Sequence, residues 1–186
     1  MSLLDIRVLG DPILRKDTQV VTEVTPELRR LVDDMFETMR AAKGIGLAAP
    51  QIGRLERLTV IDVDDQPFVL FNPEIVEADS KRVKGEEGCL SIPDIYGDVE
   101  RSVRVVVRAM DIDGKTYQVE GRELLSRCLQ HEIDHLHGRL FIDYLSRLKR
   151  SAAEKKWAKE RDKYPGNIRR LTPGEIAEHH HRDEEL

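Results

Sequence analysis

The sequence has few cysteines, few aromatic residues and no long apolar run. Two cysteines in 186 residues, Cys89 and Cys128, do not provide a disulfide framework. The N-terminal residues carry neither a signal peptide nor an Arg/Ser-rich transit sequence, and no apolar stretch is long enough to cross a membrane. We therefore expect a cytoplasmic protein with reduced thiols and no membrane partner.

The order of local patterns predicts an α+β fold. Thr25 and Pro26 begin a helix whose apolar residues recur at helical spacing through Met39. We predict strands at 58–63, 68–71 and 72–78 and a hairpin of 103–110 with 115–119, and we expect 83–93 to be irregular because it contains two glycines and a proline. The expected architecture is antiparallel β-sheets around a central metal-binding helix, with an N-terminal amphipathic helix and a C-terminal basic helix.

The charge is distributed unevenly. Residues 144–170 contain ten basic and three acidic residues, a net charge of +7. Because the whole chain has a net charge of −5, the other residues together carry −12. A basic helix suits an anionic partner such as RNA, although charge alone favours a solvated face. We divide the chain into a body (1–145), a basic helix (146–164) and a charged tail (165–186) that we expect to be flexible.

Two histidines four residues apart are the strongest chemical signal. On an α-helix, His131 and His135 extend from the same face, so their imidazoles can bind one divalent metal. Glu132 lies beside them, close enough to act on a water at that metal. Chance spacing on an ordinary helix is the alternative interpretation.

A catalytic metal usually has three protein ligands and an open position. Cys128 lies seven residues before His135, about 10 Å along the helix axis, which is too far for shared bonds of ~2.0 to 2.3 Å. We interpret Cys128 as core packing. His137 points off the ligand face and precedes Gly138, an expected helix end. Another segment must supply the third ligand, and the other cysteine is Cys89.

Residues 44–53 form a third unusual segment, Gly-Ile-Gly-Leu-Ala-Ala-Pro-Gln-Ile-Gly. Small residues allow another chain to approach the backbone closely, and Gln51 is the one long polar side chain. The glycine spacing is not the dinucleotide-binding fingerprint, because no strand precedes it and no helical pattern follows.

This loop, the segment Glu87-Gly88-Cys89-Leu90-Ser91 and the segment Gln130-His131-Glu132-Ile133-Asp134-His135 together resemble the three signature motifs of peptide deformylases. Their order and separations are similar to those of the family, and the resemblance spans roughly residues 5 to 150. It implies hydrolysis of the N-terminal formyl group from formyl-methionine of nascent polypeptides, with release of formate.

The resemblance also implies roles for individual residues. Cys89, His131 and His135 would hold iron(II), Fe2+, for which Zn2+, Ni2+ or Co2+ can substitute. Glu132 would act as base and then as acid, and the Gln51 amide and the Leu90 backbone N–H would stabilise the oxyanion. The residues implied in substrate binding are Ile45, Gly46, Gly88, Leu124, Arg127 and Cys128.

Arg127 departs from the family pattern, in which this position is often aliphatic. We expect its stem to line the methionine pocket and its guanidinium to lie in solvent. Ser91 and Asp134 are candidate supports for the ligands. The implied partners are an N-formylmethionyl peptide and, through the basic helix, ribosomal RNA, and we expect a monomer.

Two other functions fit part of the sequence. A generic zinc metallopeptidase with a His-Glu-x-x-His helix would take its third ligand downstream and would have no use for the Cys89 motif or Gln51. A metal-stabilised RNA-binding module would close its metal site with a fourth protein ligand, for which the sequence offers no obvious candidate.

Overall fold

The computed structural model describes residues 2–172, which form three α-helices and nine strands in antiparallel sheets. The helices are α1 (Pro26–Ala41), α2 (Glu123–Leu136) and α3 (Arg147–Glu160). The strands are β1 (Ile6–Arg7), β2 (Gly46–Ala48), β3 (Leu58–Val63), β4 (Gln66–Ala78), β5 (Arg82–Cys89), β6 (Ile92–Ser102), β7 (Arg104–Met110), β8 (Thr116–Arg122) and β9 (Ile168–Arg169). The α+β class with antiparallel sheets is confirmed.

The largest sheet has five strands in the order β2-β3-β4-β7-β8. β3 and β4 are joined by Asp64 and Asp65, both with positive φ, as a two-residue turn between antiparallel strands requires. One face of the sheet packs against α2 through Cys128, Leu129 and Ile133. Cys128 is fully buried, which confirms its interpretation as core packing.

Helix α1 packs against the part of the sheet formed by β2, β3 and β4. It begins where the cap signals predict, because the Thr25 hydroxyl accepts a hydrogen bond from the Leu28 amide at 3.2 Å and Pro26 occupies the first turn. Its apolar stripe, from Leu28 to Met39, enters a core cluster with Leu47 of β2 and Phe71 of β4. The helix therefore holds β2 against the rest of the sheet.

The segment predicted to be irregular is a long hairpin instead. β5 and β6 pair over most of their length, and Leu90 and Ser91 form the turn between them. The outer half of β5 is exposed and charged, so it lacks the alternating apolar pattern that marks a half-buried strand. The buried end of β5 has side-chain partners distant in sequence, since Glu87 contacts Arg127 and His131, and no local signal reveals these contacts.

The two strands predicted at 68–71 and 72–78 are one strand, β4, with an irregularity near Asn72. Asn72 has φ 51° and its side chain bonds both the amide and the carbonyl of Val21, at 2.8 and 2.7 Å. The proline that follows removes a ladder donor, so the strand is irregular here rather than ended.

The C-terminal helix is anchored to the body. Trp157 of α3 is 5% exposed and belongs to a core cluster that includes Cys89, Phe141 and Ile142. β9 pairs with β1, so the expectation of a flexible tail is wrong for Ile168–Arg169. The part of that tail from 173 to 186 lies outside the described residues. No helix within 2–172 is long and apolar enough to cross a membrane.

We predict that Trp157→Ala lowers the free energy of unfolding by about 3 kcal/mol, because truncating a buried indole leaves a cavity in the core. Urea denaturation measures the change. Leu148→Ala on the same helix is the control, because Leu148 is 84% exposed and its removal should change stability by less than about 0.5 kcal/mol. Equal effects of the two substitutions would contradict the packing of α3 on the body.

Candidate metal centre

The structure brings Cys89, His131 and His135 together in the interior. His131 and His135 lie one turn apart on α2, with their Nε2 atoms 3.2 Å from each other. The Cys89 Sγ, at the end of β5, lies 3.4 Å from the His135 Nε2. All three side chains are buried, and their candidate ligand atoms lie within 4.8 Å of one another. One helix and one strand end therefore present three metal-ligating atoms to a common point.

These separations fit a tetrahedral divalent ion. Zinc-like bonds of ~2.05 Å to nitrogen and ~2.3 Å to sulfur place two nitrogens about 3.3 Å apart and nitrogen and sulfur about 3.6 Å apart. The observed 3.2 and 3.4 Å agree closely. Burial alone would lower the pKa of His131, but hydrogen bonds with Cys89 and Glu87 raise it to about 10. Burial and the neighbouring His131 lower the pKa of His135 well below its usual value, so this imidazole is neutral and its ring nitrogen can act as a ligand.

A buried carboxylate orients His131. Glu87 Oε1 lies 2.9 Å from His131 Nδ1, which leaves Nε2 directed at the other ligands. Arg101 donates to both Glu87 oxygens at 2.9 Å. Burial would raise the pKa of Glu87, but the hydrogen bonds from His131 and Arg101 prevail and lower it to about 2. Glu87 is therefore an anion that joins β5, β6 and α2.

Arg101 extends this network to the far side of α2. Its Nη1 donates to Asp134 at 2.6 Å, and the Tyr144 hydroxyl donates to the same carboxylate oxygen at 2.8 Å. Asp134 thus acts on the ligands through Arg101 and Glu87. Sequence analysis assigned no role to Arg101 and included Glu87 only as part of the segment around Cys89. A charged residue on a strand is expected to face solvent until its buried partners are known.

Glu132 lies beside the ligands with one oxygen unpartnered among the described residues. The side chain is fully buried, Oε2 is 3.4 Å from the Thr59 hydroxyl, and Oε1 has no hydrogen-bond partner. Burial raises the pKa of Glu132 to about 7. A Cβ on Gly46 would lie 2.5 Å from Oε1, so only glycine leaves room for this carboxylate. The motifs around 46 and 132 thus meet at one point.

The two expected oxyanion donors lie next to Cys89. The Gln51 amide nitrogen is 3.6 Å from the Cys89 Sγ and 3.2 Å from the Ser91 hydroxyl. Its amide oxygen accepts from the Ala48 backbone at 2.8 Å, which fixes the orientation of the side chain. Leu90 follows Cys89 directly in the turn between β5 and β6. Ser91 thus supports Gln51 rather than a metal ligand.

Comparison with known proteins shows to which family this chain belongs. A model of the polypeptide deformylase family matches residues 3–151. A peptide deformylase of Hydrogenovibrio crunogenus is 52% identical over 163 residues, which cover 86% of this chain and 96% of that protein. The chain belongs to the peptide deformylase family.

Solved structures of the family have the same fold. The crystal structure of a peptide deformylase from Legionella pneumophila has a TM-score of 0.83 and 45% identity, over 87% of this chain and 96% of that one. The peptide deformylase from Ehrlichia chaffeensis in complex with actinonin also has a TM-score of 0.83, with 40% identity over 86% and 98% of the two chains. The relatives are thus matched over nearly their full length.

The side chain of Arg127 does not lie where the sequence analysis predicted. Its guanidinium is buried, not in solvent: Nη1 donates to Glu87 at 2.7 Å and to the Val99 carbonyl at 2.8 Å, and Nη2 donates to the Val83 carbonyl at 2.9 Å. A buried carboxylate and backbone carbonyls replace water around it. Gly85 makes room, because a Cβ there would lie 2.8 Å from the Arg127 Cζ.

The expected substrate-binding residues fall into two groups. Leu124 and Arg127 line an open cavity of about 600 Å³ between β5 and the start of α2. Ile45 and Cys128 are not part of its lining; both are buried, and the Cys128 thiol lies 3.8 Å from the Ile45 carbonyl. Gly88 is buried against Tyr96, where a Cβ would lie 2.7 Å from the ring. Leu124 and Arg127 thus lie at an open cavity, whereas Ile45, Gly88 and Cys128 lie in the interior.

We predict that Glu87→Gln raises the dissociation constant for Zn2+ by about 10- to 100-fold, because a neutral amide orients His131 less firmly. Competition with a chromogenic chelator measures it. Glu86→Gln is the matched control, since Glu86 is the exposed neighbour on β5. Equal zinc affinity in the two folded variants would contradict the role of Glu87.

Proposed function

We propose that this chain is a peptide deformylase that hydrolyses the N-terminal formyl group of formyl-methionine on nascent polypeptides and releases formate. The observation that carries the proposal is the buried cluster of Cys89, His131 and His135, with the unpartnered Oε1 of Glu132 beside it. A formamide is a linear amide, and its hydrolysis needs an activated water, a proton carrier and oxyanion donors. The site offers candidates for each.

Cys89, His131 and His135 would hold the metal. One thiolate with two imidazoles suits several divalent ions, and we propose iron(II), for which zinc, nickel or cobalt can substitute. A bound ion supplies Lewis acidity, which makes water acidic near neutral pH and polarises the formyl carbonyl. The remaining chemistry belongs to the side chains around it.

Glu132 is the proposed proton carrier. Its free oxygen is available to take the proton of the attacking water, and the same carboxyl then delivers it to the leaving amine. The Thr59 hydroxyl at 3.4 Å and the close backbone at Gly46 restrict the carboxylate. One residue thus serves both directions of proton transfer.

The Gln51 amide and the Leu90 backbone N–H are the proposed oxyanion donors. Both lie beside Cys89, and Gln51 is already held by Ala48 and Ser91. Donors fixed before the reaction need no reorganisation as charge develops, and each contributes about 3 kcal/mol to lowering the barrier.

The peptide substrate is proposed to bind along β2. This strand is at one edge of the five-stranded sheet, so one side of its backbone has no strand partner within the sheet. Backbone groups at Ile45 and Gly46 can pair with an extended peptide, which gives binding that tolerates different sequences. The methionine side chain would then lie toward Ile45, Leu124, Cys128 and the ring of His131, with the apolar stem of Arg127 beside them.

The other two functions gain no support. A metal that stabilises an RNA-binding module would be enclosed by four protein ligands. The group of potential ligands found in residues 2–172 has three members. A generic metallopeptidase would not require the contact between Gln51 and the Cys89 thiol.

We propose that residues 1–145 carry the chemistry and that the basic helix, 146–164, contacts ribosomal RNA. Trp157 faces inward, while the basic residues Arg147, Lys149, Lys155 and Lys159 are exposed. These cations lie on the surface where phosphates can reach them.

We predict that Glu132→Gln lowers kcat for formate release from formyl-Met-Ala-Ser by at least about 100-fold, because the amide cannot accept the proton of water. The assay uses the iron-loaded protein without oxygen, and metal content is measured in parallel. Glu23→Gln, at an exposed carboxylate outside the site, is the control. Undiminished turnover in Glu132→Gln, or no formate from the wild type, would contradict the proposal.

A ribosome test should leave the fold intact. Removal of the chain after Leu145 would also remove the buried Trp157, so charge substitutions are preferable. We predict that Lys155→Gln with Lys159→Gln weakens ribosome binding and reduces the slope of log affinity against log salt by about 2. Lys16→Gln with Lys115→Gln, at exposed lysines of the body, is the control. Identical ribosome binding by both double variants would refute the RNA contact.

A further inference from the structure

The end of the described chain returns to the metal centre, although it lies beyond the 3–151 match to the family model. β9 pairs with β1 in antiparallel register, with Arg169 opposite Ile6. The Arg169 side chain then points inward, and its Nη1 donates to the Leu90 carbonyl at 3.0 Å. Arg169 is 8% exposed, whereas the side chain of the neighbouring Arg170 is 75% exposed. A buried guanidinium therefore contacts the residue after the ligand Cys89.

A second contact from the C-terminal part of the chain acts, through Leu9, on the Ser91 carbonyl, the other carbonyl of the turn formed by Leu90 and Ser91. The Trp157 indole N–H donates to the Leu9 carbonyl at 3.0 Å, and the Leu9 amide donates to the Ser91 carbonyl at 2.9 Å. Both carbonyls of the two-residue turn are therefore fixed, one directly by Arg169 and one through Leu9.

Arg169 is well suited to hold this turn. Within residues 2–172, Arg169 forms no salt bridge, and its Nη1 donates to the Leu90 carbonyl. A charged donor forms a stronger hydrogen bond than a neutral one, above all where water is excluded. A fixed Leu90 carbonyl holds the peptide plane between Leu90 and Ser91. The Leu90 N–H lies in the preceding peptide plane, which can then rotate only about the two backbone torsions of Leu90.

We propose that Arg169 is a positioning residue for deformylation, which fixes the Leu90 backbone N–H in the direction that the oxyanion requires. The inference rests on the proposed function, because it assumes that this N–H stabilises the oxyanion. The competing explanation is that the Arg169 contact only connects the two ends of the chain and contributes to stability alone. Its loss would then affect unfolding but not the turnover of folded, metal-loaded protein.

The test uses Arg169→Met, which keeps an apolar stem and removes the donor, in the full-length chain. Arg169→Lys restores a charged donor, and Arg170→Met is the matched control at an exposed neighbour. We expect kcat per bound iron for formyl-Met-Ala-Ser to fall about 10-fold in Arg169→Met, with KM changed less than about twofold, since the donor is displaced but not deleted. Arg169→Lys should recover most of kcat, and Arg170→Met should match the wild type.

Hydrogen exchange of the Leu90 and Ser91 amides in the zinc-loaded protein gives a second readout that does not depend on turnover. We expect faster exchange at these amides in Arg169→Met than in Arg170→Met, beyond any change in overall stability. Equal kcat per bound iron in the two variants, with only a lower melting temperature for Arg169→Met, would overturn the proposal. So would unchanged exchange at the turn.

The two readouts distinguish this inference from the proposed function. A wild-type protein that releases no formate would refute the deformylase assignment and, with it, the catalytic part of this proposal. The exchange measurement would then still decide whether Arg169 fixes the turn. If Arg169→Met does not fold, Arg169→Gln decides instead, because its shorter, neutral side chain cannot replace the charged donor. Slower turnover with faster exchange in Arg169→Gln supports directional positioning, and wild-type values of both overturn it.

Discussion

The buried carboxylate of Glu87 is the group on which the metal centre depends. An uncompensated charge in the interior costs several kcal/mol, so a fully buried anion persists only with strong partners. Glu87 has three, since Arg101, Arg127 and His131 all contact its two oxygens at 2.7 to 2.9 Å. These partners come from β6 and α2. The interaction that orients the imidazole of His131, a candidate metal ligand, is therefore also the one that joins the hairpin to the helix.

Close packing at glycines determines what the rest of the site can do. Gly46 leaves space for Glu132, and Gly85 leaves space for Arg127, in both cases where a Cβ would lie within 3 Å of the functional side chain. Because Gly46 is also in the edge strand β2, the same residue lies against Glu132 and next to the proposed peptide-binding edge. A peptide paired with this edge, as proposed, would therefore pass close to the Glu132 carboxylate.

The sequence predicted the features that depend on local signals. Helix α1 starts at the predicted cap, β3 has the predicted bounds, and spacing alone put His131 and His135 on one helix face. The buried guanidinium of Arg127 and strand β9 escaped prediction because each depends on partners far away in sequence. The β5–β6 hairpin escaped because its exposed, charged residues and glycines lack an alternating apolar pattern. A charged residue on a strand looks solvent-exposed until a buried counter-charge is known. The resemblance to the family, rather than spacing, indicated Cys89.

X-ray absorption at the zinc edge of the zinc-loaded protein tests the central claim most directly, because it counts the atoms bound to the ion. The account predicts one sulfur at about 2.3 Å and two imidazole nitrogens at about 2.0 to 2.1 Å, with the remaining position filled by a light atom from solvent. Loss of the sulfur contribution in Cys89→Ser, but not in Cys128→Ser, would identify the ligand. A zinc shell without sulfur, or one closed by four protein ligands, would contradict the account.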